Sequence, residues 1–191
     1  MTKKFISIDT ETGGLGLDKS LLTIGLVLAD ESLTEIDARQ FYVKPDDGVY
    51  KITADGLKVN GINLVEHNQY AKTERETGKL LYEVLDLWSL SGRDKLIPLG
   101  KQVAGDILQI QKVISRGSWE HFVSYRVLEI SSVSHTLISL GLIPESNDSL
   151  ADLIKQYNIP NLGLHDALAD ARMTLAVYRA MRSHLRGMLR P

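Results

Sequence analysis

The chain has 191 residues, 43% of them hydrophobic and 24% charged, with a formal net charge of -2 and no cysteine. This composition is that of an ordinary globular protein and excludes a disordered chain, a collagen and a coiled coil. Without cysteine there is no disulfide, no thiolate nucleophile and no cysteine-ligated zinc. The balance also disfavours a basic coat protein for nucleic acid, although acids gathered at one site can mask local positive charge.

Taken in chain order, Phe5 to Glu11 predicts a strand and Leu21 to Ala29, almost wholly apolar, a central one. Ile36 to Val43 predicts a third strand, joined to the second by a short polar hairpin at Asp30-Glu31-Ser32. Residues 73 to 90 carry Leu80, Leu81, Val84, Leu85 and Trp88 at helical spacing. Leu96 to Leu99 predicts a brief strand containing Pro98, Asp106 to Ile114 a helix, and Arg126 to Ile130 another strand. Ser132 to Leu140 and Ser149 to Tyr157 predict short helices, and Asp166 to about Leu189 a long amphipathic one. The expected fold is α/β: a mixed sheet of about five strands flanked by helices, in a single domain over residues 1–191. No apolar run is long enough to span a bilayer, and the first residues do not form a signal peptide, so no membrane role and a cytoplasmic location are expected.

Asp9 and Glu11 lie two apart on a strand, so their side chains share a face. Two carboxylates held that close repel unless one protonates or a cation sits between them, and hard cations such as Mg²⁺ or Mn²⁺ suit oxygen ligands. The alternative is a strand end dipping into solvent ahead of Gly13-Gly14. His165 and Asp170 are five apart, ~140° out of alignment on one helix. They converge only if His165 precedes the helix, which Pro160, Asn161 and Gly163 allow. Asp166 then suits an N-cap, and Ala167 and Ala171 permit close approach to the sheet. The alternative is a capped surface helix. Asp106 alone reads as a first-turn acid complementing a helix dipole.

Together these stretches resemble the DEDDh 3′–5′ exonucleases of the ribonuclease H-like fold, which include proofreading exonucleases, oligoribonucleases and RNase T. The strand ending Asp9-Thr10-Glu11-Thr12-Gly13 matches the first motif and His165-Asp166-Ala167-Leu168-Ala169-Asp170 the third. Asp106 fills the middle position, although Lys101, Gln102 and Gly105 stand where His, Asn and Phe are usual. Asp86 and Asp94 are the other acids near that position. Arg126-Val127-Leu128-Glu129 resembles the R-x-x-D strand of the family. Ile52-Thr53-Ala54 and Val59-Asn60-Gly61-Ile62 resemble the loop near the terminal nucleotide.

The resemblance implies hydrolysis from the 3′ end of DNA or RNA with release of nucleoside 5′-monophosphates. It implies Asp9, Glu11, Asp106 and Asp170 as ligands of two divalent cations, Mg²⁺ or Mn²⁺, with His165 as general base. Imidazole suits that task because it titrates near neutrality. Thr10, Thr12, Gly13, Gly61 and Ile62 would contact the substrate. The implied partner is a nucleic acid 3′ end, single-stranded, with a polymerase as a further partner the family allows. A degenerate module that only binds nucleic acid or a polymerase is the rival reading. An aspartyl phosphatase is disfavoured because Glu11 and Gly13 break the D-x-D-x-T pattern, and no phosphate-binding P-loop sequence occurs.

Overall fold

A computed structural model describes residues 3–89, 95–145 and 148–188. In chain order the elements are β1 (Phe5–Thr12), β2 (Leu21–Ala29), β3 (Glu35–Lys44), α1 (Ala54–Asn60), α2 (Leu64–Tyr70), β4 (Lys72–Thr73) and α3 (Glu74–Trp88). There follow β5 (Ile97–Gly100), α4 (Val103–Ile110), α5 (Arg116–Phe122), β6 (Leu128–Glu129), α6 (Ile130–Ser139), α7 (Leu150–Gln156) and α8 (Ala167–Met188). Among the described residues the sheet has six strands in the order β4-β3-β2-β1-β5-β6, one more than expected. The added strand, β4, is only two residues long and pairs at the edge with the end of β3. A strand that short carries no alternation to read.

The expected meander is present. β1 pairs antiparallel with β2, and β2 antiparallel with β3. All nine residues of β2 are buried, as its apolar run requires of a strand covered on both faces. The hairpin is held by Asp30, whose Oδ1 accepts from the backbone N–H of Ser32 and Thr34, both at 2.8 Å. β5 joins β1 in parallel and β6 joins β5 in parallel.

The sheet separates two apolar layers. Ile6, Ile8, Ile24 and Leu26 pack with Leu81, Leu85 and Trp88 of α3, Val103 and Ile110 of α4, and Trp119 and Phe122 of α5. Phe5, Val27 and Ala29 pack on the other face with Ile130 and Leu137 of α6, Leu153 of α7, and Met173, Val177 and Met181 of α8.

Several boundaries differ from expectation. The helix placed at Asp106 to Ile114 runs from Val103 to Ile110, after which tight turns carry the chain under α3. There the Val113 carbonyl fills the space that a side chain at Gly78 would take. The strand placed at Arg126 to Ile130 shrinks to two residues, because the Glu129 carboxylate accepts from Ser131 N–H and starts α6 at Ile130. The segment from Ile52 to Ile62, read as a loop, contains α1, capped by Thr53 and ended by Gly61 at φ 65°. Of the other candidates for the middle motif, Asp86 lies exposed on α3, while Asp94 lies outside the described residues, as do the ends of the helices placed at 73–90 and at Asp166 to Leu189.

The contact that places the last helix is between Gly25 of β2 and Ala167, the first residue of α8. A Cβ at Gly25 would lie 2.2 Å from the Ala167 carbonyl carbon and oxygen. Backbone cannot swing aside as a side-chain tip can, so overpacking here is costly. Gly25→Ala is expected to lower stability by ~1–3 kcal/mol. A denaturant midpoint checks this, and an unchanged midpoint would show that the helix does not seat on β2 in this way.

Candidate active site

The site forms where β1 runs out of the core. Alternation divides β1 between the two layers: Ile6 and Ile8 pack against α3 and α4, while the Ser7 hydroxyl donates to the Ala171 carbonyl of α8 at 2.8 Å. Asp9 and Glu11 share the parity of Ser7 and so project on the α8 side. Asp9 stands opposite Gly25 and Glu11 opposite Thr23 on β2.

The start of α8 delivers the next two groups. Asp166 is its N-cap, with Oδ1 accepting from Ala169 N–H at 2.9 Å. Its Oδ2 accepts from the Gln40 amide at 3.0 Å, which ties the helix start to β3. His165 sits outside the helix in a left-handed conformation, φ 67°. Its backbone N–H donates to Asp170 Oδ2 at 3.1 Å. That turn cancels the angular mismatch between positions 165 and 170, and donor atoms of Glu11, His165 and Asp170 lie within 4.8 Å of one another.

Asp106 arrives from the opposite layer, on the first turn of α4. Its Oδ1 accepts from the Thr10 hydroxyl at 2.6 Å. Thr10, expected to touch substrate, thus has its hydroxyl committed to a neighbouring carboxylate. The Thr12 hydroxyl donates to the Gly14 carbonyl at 2.8 Å, and the Thr12 carbonyl accepts from the Asn60 amide at 2.9 Å. Gly13 is buried and packed: a Cβ there would lie 2.5 Å from the Lys51 carbonyl oxygen. Gly61 ends α1, and Ile62 is half-buried with its N–H donated to Asn60 Oδ1 at 3.0 Å.

Two clefts flank the end of β1. One, of about 350 Å³, is lined by Asp9, Asp106, Lys101 and Gln102. The other, of about 440 Å³, is lined by Glu11, Thr12, Val59 and Asn60. Neither includes Gly61 or Ile62. Leu15, 97% exposed, borders both.

The electrostatics of this end are unfavourable as they stand. Burial pushes the Asp9 carboxyl well up from its ordinary value, and the charges of Asp106, Asp170, Glu11 and Asp166 push it further. Burial, then Asp170, Asp106 and Asp166, raise Glu11 from 4.5 to about 7. Burial raises Asp106 to about 7 against the opposing Thr10 hydrogen bonds. Asp170 is raised by burial against the His165 N–H. Among the described residues, no lysine or arginine forms an ion pair with any of the four. Asp170 Oδ1 is buried without a hydrogen-bond partner, which leaves a lone pair aimed at no protein donor. An all-carboxylate donor set with an orphaned buried oxygen fits a hard divalent cation.

A family model for exonucleases, RNase T, matches residues 6–178. The chain belongs to the exonuclease family. No curated protein matches it in sequence. Among solved structures, one of exonuclease I aligns with a TM-score of 0.79 and 20% identity, covering 95% of this chain and 41% of that one. Escherichia coli exonuclease I with a dT13 oligonucleotide aligns at TM-score 0.79 and 18% identity, covering 97% and 42%. The zinc-bound form of its single-stranded DNA complex aligns at 0.79 and 19%, covering 96% and 41%. The shared fold is that of an exonuclease, and the chain spans about two-fifths of the length of these relatives.

Sequence reasoning missed the interactions that hold these acids in place. Gln40 on Asp166, Asn60 on Thr12 and the Glu129 carboxylate on α4 are all long-range. No local pattern announces them.

The raised carboxylates give a stability signature. A folded state that holds its protons more tightly than the unfolded chain loses stability as pH rises between the two pKa values. For Glu11 that window runs from about 4.5 to about 7. Buried His67, pushed down by its burial, acts in the opposite sense. The Glu11 contribution is therefore read as the difference between wild type and Glu11→Gln. In EDTA, wild type should lose stability relative to Glu11→Gln across that window, and excess Mg²⁺ should shrink the difference. Parallel stability curves from pH 4.5 to 7.5 would refute the unfavourable burial of Glu11.

Proposed function

We propose that this chain is a metal-dependent 3′–5′ exonuclease that removes nucleoside 5′-monophosphates from the 3′ end of a single strand. The observation that carries the reading is the gathering of Glu11, His165 and Asp170 donor atoms within 4.8 Å, beside a buried and unpartnered Asp170 Oδ1. Membership of the exonuclease family supports it. Single-stranded oligonucleotides in the exonuclease I structures support the choice of a single strand.

Asp9, Glu11, Asp106 and Asp170 would hold two divalent cations, Mg²⁺ or Mn²⁺. Bound there, such ions supply charge neutralisation of the scissile phosphate and acidify the attacking water. The protein supplies the rest. Its carboxylates come from three segments and two layers, so they surround the phosphate instead of lining one side of it. His165, exposed at the mouth and fixed by its left-handed turn, takes the proton from the water as its oxygen bonds to phosphorus. The bond from phosphorus to the 3′ oxygen of the preceding nucleotide breaks. The terminal nucleotide leaves with a 5′-phosphate, and the shortened strand keeps a 3′-hydroxyl. The cleft of Glu11, Thr12, Val59 and Asn60 would take the terminal nucleoside, polar at its floor and apolar at its wall. Among the described residues no helix is long and apolar enough to cross a membrane. We read residues 1–191 as one exonuclease domain with a cytoplasmic site of action.

The direct test uses single-stranded DNA and RNA labelled at the 5′ end, with Mg²⁺, Mn²⁺ or EDTA. A descending ladder that requires metal is expected. Full activity in EDTA, or mononucleotide released first from the 5′ end, would overturn the proposal. Asp106→Ala should abolish turnover with the fold retained, whereas exposed Asp86→Ala should be nearly silent.

A second set of variants separates His165 from Asp166. His165→Ala should lower turnover by ~10²–10⁴-fold, the usual worth of a positioned base, with metal binding kept. Asp166→Ala should lower stability by ~0.5–2 kcal/mol through loss of the cap, with turnover little changed. Asn or Ser at 166 should restore most of that stability. Single-turnover rates and denaturant midpoints measure both effects. Turnover lost at 166 and intact at 165 would exchange the two roles.

A further inference from the structure

We propose that Glu129 is the positioning residue for Asp106. Its carboxylate clamps the corner between β5 and α4 and thereby sets where the Asp106 carboxylate stands among the metal-binding acids. The inference rests on the metal-dependent reading above and adds to it a residue outside the set of ligands.

At this corner Gln102 adopts a left-handed conformation, φ 58°, although it is not glycine. Such a residue persists only where its surroundings over-determine it. Here the surroundings are one carboxylate. Glu129 Oε1 accepts from Gln102 N–H and Oε2 from Val103 N–H, both at 2.9 Å. Oε1 also accepts from Ser131 N–H at 3.0 Å. The pairing of Gly100 with Glu129 across β5 and β6 brings the acid to the corner.

The arrangement differs from other helix starts in the chain. α1, α3, α5 and α7 are each capped by the side chain of the residue just before them, Thr53, Thr73, Ser115 and Ser149. Gln102, in the corresponding place, makes no side-chain cap bond. The first backbone donors of α4 are instead satisfied from a different strand, 26 and 27 residues later in the chain. A local cap fixes a helix to its own entry. A cap supplied by β6 fixes α4 to the sheet.

Asp106 is the fourth residue of α4, one turn from the clamp. A shift or rotation of the first turn therefore moves its carboxylate directly. It is held from two sides: by the Thr10 hydroxyl of β1, and through the helix by Glu129 of β6. The same corner carries Lys101 and Gln102 into the cleft shared with Asp9 and Asp106.

The test compares wild type, Glu129→Ala, Glu129→Gln and a control, Ser115→Ala, which removes the cap of α5. Mn²⁺ affinity is measured by calorimetry without nucleic acid, kcat and KM on a single strand at fixed Mn²⁺, and stability by denaturant midpoint. Glu129→Ala should weaken Mn²⁺ binding and kcat by ~10–100-fold, as loss of a residue that orients a ligand does. KM for the strand should stay within about threefold, since strand binding is not removed. Glu129→Gln should fall between, because its amide keeps one acceptor oxygen of two. Added Mn²⁺ should recover part of kcat in both. Ser115→Ala should lose stability yet keep Mn²⁺ affinity and kcat. If Glu129→Ala does not fold, Glu129→Gln decides the matter. Wild-type Mn²⁺ affinity in a folded Glu129 variant, or an equal loss of affinity in Ser115→Ala, overturns the inference. A wild-type protein that binds no Mn²⁺ would instead bring down the metal-dependent reading itself.

Discussion

At Gly25 the backbone of a helix touches the backbone of a sheet. No side chain separates β2 from the first residue of α8, since a Cβ there would overlap the Ala167 carbonyl. This contact sets the height at which α8 begins, and the placing of the other groups follows from it. Asp9 lies beside Gly25 on β1, so the helix start comes down next to the first catalytic acid. Ser7 and Ala171 continue the close approach one step further along both elements. Asp170, between Ala169 and Ala171, is carried down among them and loses water. A larger residue at position 25 would lift the helix start and draw Asp170 and His165 away from Glu11 together.

The acids so gathered are in conflict without a cation, and the protein uses neutral devices to hold them there. Thr10 and Asn60 donate from uncharged groups, and backbone N–H groups serve Asp166 and Asp170. Arginine or lysine would relieve the repulsion more strongly, but an ion pair would occupy the lone pairs a metal needs. The pattern is one of orientation without neutralisation, which leaves the site negatively charged or protonated until a cation arrives. The stored repulsion is tolerated because each acid is anchored in a different element of the two apolar layers.

How far the sequence discloses this arrangement depends on range. β1, β2, β3, α3 and α8 were legible because each has an apolar pattern long enough to carry a period. α1, α2 and α5 were not: each has seven residues, with none buried in α1 and only His67 in α2. Asp9 and Glu11 share a face by strand alternation, and the punctuation at Pro160, Asn161 and Gly163 keeps His165 outside the helix. Asp106 had no such local argument. Its place was taken from a resemblance and from spacing, and the helix that bears it starts three residues earlier than its own pattern suggests. The threonines and glycines around β1 were read as groups facing substrate. Thr10 and Gly13 are instead engaged with Asp106 and with Lys51, contacts made across the fold that no nearby residue signals.

The least legible corner is also the one where local rules are broken. Gln102 is left-handed without being glycine, and α4 starts without a cap of its own. Local propensity and tertiary structure agree along most of this chain, and agreement across levels is what makes a sequence foldable. Where they disagree, something nonlocal must supply the difference, and here it is a single carboxylate from β6. His165 shows the same departure, a left-handed non-glycine residue held by Asp170. The two exceptions lie at the two points where a chain segment must deliver an acid at an angle that a regular helix entry would not give. Strain at these entries is thus the geometric consequence of bringing carboxylates from opposite layers to one end of β1.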